Sequence, residues 1–412
     1  MPNKQDAKSL FSTQSFPESL DLTELAATGW RPVAFRQFIL KVHSRCDLAC
    51  PSCYVYKMAD QSWRSQPRKM SPAVIEKVAS RIAEHARAHS LQTVDIILHG
   101  GEPLLAGAQE LATIVRKIRY ACAAVGTRVR ASMQTNAVRL DEAALALFEE
   151  LDIRIGVSLD GDREANDRMR RFADGRGSFD TVAKSLELLA TGPFHHLFAG
   201  LLCTIDLRND PLKTYRALLE FDPPAIDFLL PHGNWASPPP GKDDDPTLTP
   251  YADWLLPIFD HWHDAPALET EIRLFREILR LLSGSPSRSE SIGLSPSSML
   301  VVETDGTIEQ SDILKSVSEG AAHTGLHIFR DPFDRALLLP GIVARQIGVA
   351  ALSDTCHRCD IRDVCGSGLY AHRHAPTNGF RNPSVYCADL YKLITHIRDR
   401  YDLDTARLKG RI

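Results

Sequence analysis

Long apolar runs are missing from this 412-residue chain. Nothing in it approaches the roughly 20 apolar residues that cross a bilayer, and its opening, MPNKQDAKSLFSTQSFPESLDL, lacks the apolar core of a secretory signal. The expectation is a cytoplasmic protein with no membrane partner. A surplus of either charge is missing too: 48 Lys and Arg stand against 52 Asp and Glu, a formal net charge of −4. That balance gives no general pull toward nucleic acid or anionic lipid, so no nucleic-acid partner is expected. With 24 Gly and 25 Pro in 412 residues and 44% hydrophobic residues, collagenous and disordered classes are excluded. No short-period repeat is found. The length allows two or three domains, or one barrel-sized domain with an appendage.

Cysteine is sparse and unevenly placed. Seven of the nine cysteines fall in two groups near opposite ends of the chain, and in a reducing compartment close spacing points to metal or cofactor ligation before disulfides. Cys122 sits in a helical pattern and Cys203 in a strand pattern; both read as small buried hydrophobes.

Between the two groups the periodicity alternates. RQFILKV (36–42) reads as a strand, and Ser71 followed by Pro72 reads as the N-cap and first position of the helix PAVIEKVASRIAEHARAH. TVDIILHG precedes a helix over about 107–124, RVRASMQ precedes DEAALALFEE, and IRIGVSLDG precedes FDTVAKSLELLA. HLFAGLLCTI and AIDFLL flank the helix PLKTYRALLEF. Six short strands alternating with longer helices predict an α/β fold of parallel strands with crossover helices, a partial (β/α)6 TIM-like barrel. The Pro-, Gly- and Asp-rich stretch 232–250 predicts a loop or lid ending the barrel. The organisation expected is a loosely ordered lead-in over 1–34, the barrel over 35–250, a helical connector over 251–298, and a small domain with a C-terminal helix over 299–412, held together by a metal.

Cys46, Cys50 and Cys53 form a C-x3-C-x2-C run, CDLACPSC, directly after the first strand. Three thiolates on one loop suit a four-iron cluster with one iron left open, or a zinc ion with an open position. After the second strand comes GGEP, in which Gly100 and Gly101 permit close backbone approach and Glu102 adds a carboxylate. Together these motifs resemble the radical S-adenosylmethionine (SAM) superfamily. The resemblance implies a 4Fe-4S cluster on Cys46, Cys50 and Cys53, and SAM lined by Gly100, Gly101 and Glu102. It further implies a ribose contact from Ser158 of SLDG and a carboxylate contact from Arg170. The family's aromatic residue or histidine before the third cysteine is Ser52 here, so Tyr54 or Tyr56 stands in as the adenine contact.

The second group, Cys356, Cys359, Cys365 and Cys387, places four thiols within 32 residues. By spacing alone they suit a structural zinc or an iron-sulfur cluster. The C-x2-C-x5-C start with a distant fourth cysteine resembles a SPASM domain, the auxiliary-cluster extension of many radical SAM peptide modifiers. The full SPASM pattern carries further cysteines, absent here: Ser311 and Leu369 occupy two of those positions, while Gly306 is retained. The resemblance therefore implies two 4Fe-4S clusters in all, one SAM-binding and one auxiliary, the latter structural or redox-active. Asp312 resembles an acidic residue beside the substrate of sulfatase-type maturases and is expected to take up the proton released as a substrate radical becomes product. His372 and His374 read as surface or hydrogen-bonding histidines.

Across about 35–395, the runs FRQFILKVHSRCDLAC, ILHGGEPLLAG, GVSLDGDREANDR, DFLLPHGNW, VVETDGTIEQSD and NPSVYCADL are together similar to the FxsB-type, cyclophane-forming radical SAM/SPASM peptide maturases. The resemblance implies a ribosomal precursor peptide as substrate, in which an aromatic ring is joined to the β-carbon of a residue two positions later. Breaking that unactivated C–H bond belongs to the cofactor, while the protein positions and shields. An electron donor such as flavodoxin or ferredoxin is implied. With little chain before the first strand for a leader-binding domain, recognition falls to the barrel and SPASM surfaces or to a separate leader-recognition protein. Thioether formation, epimerisation and formylglycine-type sulfatase maturation are rival outcomes within the superfamily. A non-catalytic metal-bearing scaffold is the rival outside it.

Overall fold

The computed structural model describes residues 15–242 and 245–410; residues 1–14 of the lead-in and 243–244 of the predicted loop lie outside them. One mostly parallel sheet of ten strands organises the chain. The strands are β1 (Gln37–His43), β2 (Thr93–Gly100), β3 (Arg128–Thr135), β4 (Ile153–Ser158), β5 (Phe198–Thr204), β6 (Ala225–Leu229), β7 (Glu271–Ile272), β8 (Met299–Val302), β9 (Thr307–Glu309) and β10 (His323–His327), in the order β10-β9-β8-β1-β2-β3-β4-β5-β6-β7.

β1 through β6 follow in sequence and pair in parallel, as the six strand-helix units predict. The helices between them cover the sheet because each presents an apolar stripe. Pro72–Ala88 buries Val74, Ile75, Val78, Ile82 and Ala86, and Ala108–Ala123 buries Leu111, Ile114, Val115 and Ile118, positions spaced by three or four. Ser71 caps the first of these by accepting from the Val74 N–H at 3.2 Å, with Pro72 inside the first turn. Cys122 and Cys203 are buried, as expected.

Two expectations are corrected. The C-terminal region does not begin as a separate body: β8 lies parallel beside β1, with Phe38 opposite Leu300 and Leu40 opposite Val302. The antiparallel pairs β8–β9 and β9–β10 then extend the same sheet. A sequence boundary at 298 missed this because β8 pairs with a strand about 260 residues earlier. The lead-in is not loose over its described part either. Asp21 caps the helix Leu22–Ala27 by accepting from the Thr23 and Glu24 N–H groups, both at 2.9 Å, and Phe16 is buried against Leu314, Ala322, Tyr370 and Ala371.

The loop after β6 is stapled to the C-terminal region. The Trp235 indole donates to the Pro383 carbonyl at 2.8 Å. The Lys242 ammonium, fully buried, donates to Asp389 at 2.7 Å. Asp389 also accepts from the Tyr251 and Ala252 N–H groups, which ties in the start of the helix Pro250–Asp264.

Candidate active site

Parallel strands deliver their carboxyl ends to one edge of the sheet, where α/β enzymes build their sites. The loop carrying Cys46, Cys50 and Cys53 leaves β1 at that edge, GGEP leaves β2, Thr135 and Asn136 leave β3, and Ser158 ends β4. The two glycines are required by packing: a Cβ on Gly100 would overlap the His43 carbonyl, and one on Gly101 the Arg45 carbonyl and the Tyr56 hydroxyl. They let the GGEP turn lie directly against the backbone that enters the cysteine loop.

Glu102 is buried and turned inward. Its carboxylate accepts from the Leu104 N–H at 2.9 Å, the Thr135 hydroxyl at 2.7 Å and the Asn136 N–H at 2.8 Å. Burial pushes its carboxyl up to about 7 against those hydrogen bonds. It locks the GGEP turn to the end of β3. Asn136 continues the link, its amide donating to Asp47 at 2.8 Å and reaching the Cys46 sulfur at 3.6 Å.

The Cys46 sulfur also receives the Leu48 N–H at 3.4 Å. Burial raises the Cys46 and Cys50 thiols, so thiolates at this depth require a cation beside them. Among the described residues, no three cysteines hold their sulfurs all within 4.8 Å of one another. Arg170 lies within electrostatic reach of Cys50. Its Nε donates to Asp160 at 2.8 Å, and Asp160 is itself fixed by the Thr204 N–H at 2.9 Å. Ser158 Oγ accepts from the Gln134 amide at 2.9 Å.

Tyr54 and Asp312 meet across the barrel mouth. The Tyr54 hydroxyl donates to Asp312 Oδ2 at 2.7 Å, and the Lys41 ammonium donates to the same oxygen at 2.7 Å and to the Gly100 carbonyl at 2.9 Å. Burial opposes the charge on Asp312, but Lys41 overrides it and holds the carboxyl well below the usual carboxylate range. Lys41, a lysine inside an apolar strand, carries no signal of its own in the sequence; its partner lies 271 residues away. Tyr56 turns elsewhere, its hydroxyl donating to the Ser44 carbonyl at 3.1 Å.

The four C-terminal thiols are free of disulfides, and Cys387 lies within electrostatic reach of Cys356, Cys359 and Cys365. Burial pushes the Cys365 thiol up to about 12. After Cys365 the chain curls through three successive left-handed residues, Gly366 (φ +57°), Ser367 (φ +66°) and Gly368 (φ +63°). That curl aims the Ser367 N–H at the Cys365 sulfur, as an anionic centre requires. The buried Arg373 holds the curl by donating to the carbonyls of Gly366 (2.7 Å), Ser367 (3.1 Å) and Gly368 (2.7 Å). His372 departs from expectation: it is buried, and its Nε2 has no hydrogen-bond partner among the described residues.

His85, His89 and Asp334 also bring three metal-type ligands together. His85 Nε2 accepts from the Phe35 N–H at 3.0 Å, so its Nδ1 carries the proton and donates to Asp334. Metal on Nδ1 would set two N–H donors face to face. The trio is a hydrogen-bonded tie between elements.

Comparison with known proteins agrees with this layout. Residues 40–204 match the family model described as the Radical SAM superfamily. The cysteine-type anaerobic sulfatase-maturating enzyme of Clostridium perfringens is 25% identical over 281 residues, 65% of this chain and 72% of that protein. The serine-type anaerobic sulfatase-maturating enzyme of Klebsiella aerogenes is 24% identical over 382 residues, 90% of this chain and 87% of that protein. Among solved structures, native anSMEcpe with bound AdoMet shares the fold with a TM-score of 0.74 at 21% identity, over 90% of this chain and 99% of that one. Streptococcus suis SuiB bound to precursor peptide SuiA shares it with a TM-score of 0.55 at 13% identity, over 87% of this chain and 77% of that one.

The fold is the radical SAM α/β fold with a mostly parallel sheet. Residues 40–204 carry the radical SAM match, that of an enzyme using SAM and 4Fe-4S iron-sulfur chemistry.

Proposed function

We propose that the protein is a maturase of ribosomally made peptides that forms a carbon-carbon cyclophane between an aromatic ring and the β-carbon of a nearby residue. The observation that carries this reading is the convergence, at one sheet edge, of the Cys46/Cys50/Cys53 loop, the GGEP turn, Ser158 and Arg170, with Tyr54 beside the cysteine loop meeting Asp312 of the C-terminal region across the mouth. Cys46, Cys50 and Cys53 hold the SAM-binding cluster. Gly100 and Gly101 shape the cofactor turn, Glu102 locks it, Ser158 and Arg170 face the ribose and carboxylate of SAM, and Cys356, Cys359, Cys365 and Cys387 hold an auxiliary cluster. Bound there, the cluster and SAM supply the one-electron cleavage that generates a hydrogen-abstracting radical.

The chain's own residues orient and shield. The loop stapled by Trp235 and Lys242 walls the mouth against water. A peptide substrate accords with the relatives named for sulfatase maturation and with the SuiB–SuiA complex. An electron donor of the flavodoxin or ferredoxin class and, where a leader needs reading, a separate recognition protein complete the system. Formylglycine-type maturation is the second reading, favoured by similarity to the Klebsiella enzyme over 90% of this chain. Ser311 and Leu369, standing where the SPASM resemblance expects cysteine, favour the cyclophane. Co-expression with the peptide encoded by an adjoining short reading frame tests the proposal. Loss of two hydrogens localised to an aromatic-x-x segment supports it; an aldehyde at Cys or Ser supports the second reading, and epimerisation without mass change refutes both.

A further inference from the structure

Beside Tyr54, two imidazoles with unused nitrogens, His232 and His372, meet edge-on. His232 lies in the loop after β6, where the Asn234 side chain shapes the turn by accepting from the Ala236 and Ser237 N–H groups at 2.8 and 3.1 Å. Its ring packs on Tyr54 with centroids 4.6 Å apart, and edge-on to His372 at 6.1 Å. Neither nitrogen of His232 has a hydrogen-bond partner among the described residues, and Nδ1 is shut off from solvent. His372 comes from the opposite wall, the short 3-10 helix Tyr370–Arg373, and its Nε2 is likewise buried without a partner. Buried polar nitrogens are nearly always satisfied. Two unsatisfied ones on neighbouring rings, one of them packed on Tyr54 next to the cysteine loop, point to a ligand or a proton that arrives with the substrate.

We propose that His232 accepts the proton that leaves the substrate when its carbon-centred radical is oxidised, with His372 behind it as the next acceptor. The assignment rests on the peptide-modifying reading. In cyclophane formation the adduct radical carries one surplus ring hydrogen. Its C–H bond breaks, the proton goes to the His232 imidazole, and the bonding pair stays to restore the aromatic ring. The remaining electron passes to a one-electron acceptor of the iron-sulfur or flavodoxin class. Oxidation of a Cys or Ser radical releases a proton and an electron in the same way, so the assignment holds for either product.

Asp312 was the residue expected to take this proton, and its surroundings argue against it. Protonating Asp312 would leave the Lys41 ammonium buried without its counter-charge, and an unpaired buried charge is strongly destabilising. Asp312 instead fixes Tyr54, and through it the ring on which His232 rests. His232 carries no such obligation. The charged and titratable groups facing it are Tyr54, Asp312 and His372; burial keeps its imidazole neutral, pushed down to about 4, with a lone pair open to accept.

The test uses the full chain, reconstituted anaerobically, with the co-expressed peptide of the adjoining reading frame. Wild type, His232→Phe and His232→Gln are compared for 5'-deoxyadenosine released, oxidised peptide formed, and peptide-radical signal in freeze-quenched electron paramagnetic resonance. Removing a positioned base lowers its step by about 10²- to 10⁴-fold. The expected result is therefore at least a 100-fold loss of oxidised product in both variants, deoxyadenosine within about twofold of wild type, and a peptide radical that accumulates. Oxidised product at the wild-type rate in either variant overturns the assignment. So does parallel loss of deoxyadenosine and product in both variants, which marks a packing role. Deoxyadenosine without any peptide product from wild type itself defeats the peptide-modifying reading, and this assignment with it.

Discussion

The two cysteine groups make the same kind of donor set by opposite means. The N-terminal trio is held from outside: its loop lies against the GGEP turn through two residues that can carry no Cβ, and Glu102 and Asn136 tie that turn to the next strand. The C-terminal quartet is held from within, by a left-handed curl after Cys365 gripped by one buried arginine. The first arrangement places three thiols at the carboxyl edge of the parallel strands, with Arg170 in electrostatic reach of Cys50. The second takes its support from the curl beside its own third cysteine, whose Ser367 N–H meets the Cys365 sulfur. One site borrows rigidity from the neighbouring strand, whereas the other supplies its own.

That contrast is broken most sharply by removing one thiol from each group. Cys50→Ala should abolish SAM cleavage, with no 5'-deoxyadenosine above background after chemical reduction; wild-type turnover would overturn the cluster assignment. Cys359→Ala should keep measurable SAM cleavage while iron falls from about eight to about four atoms per chain, with lower solubility and product yield. Equal loss of cleavage in both variants would erase the distinction.

The barrel mouth sharpens the comparison further. Lys41→Met strands Asp312 and should destabilise the fold by about 3–5 kcal/mol, read as a shift in the anaerobic urea midpoint. The double variant Lys41→Met/Asp312→Leu should regain most of it, because neither charge is then left unpaired. Because Lys41 depresses the Asp312 carboxyl in the folded state, the pair's contribution is complete above about pH 4, the unfolded carboxyl's range, and fades as the pH falls further. The gap in urea midpoint between wild type and the double variant should accordingly narrow on acidification; a constant gap would count against the pairing. The smallest effect is expected in the lead-in, where Asp21→Ala removes a helix cap worth about 1 kcal/mol and should leave SAM cleavage unchanged while raising hydrogen exchange over Leu22–Ala27.

Sequence by itself determined the six parallel strands, their helices and both thiol groups, for a physical reason: periodicity and ligand spacing are local properties, carried within a few turns of chain. Tertiary structure alone decided what depends on distant pairing. β8 joins β1 across some 260 residues, and β10 was not foreseen because its residues, HTGLH, show no strand pattern without β9 beside them. Lys41 acquires meaning only when Asp312 arrives from 271 residues away, and Arg373 only when the curl it grips has formed. His232 and His372 stand 140 positions apart in the sequence, and their unpaired nitrogens become conspicuous only once folding has withdrawn them from water, because an exposed imidazole finds its partner in solvent and a buried one must find it in the protein or in what the protein binds.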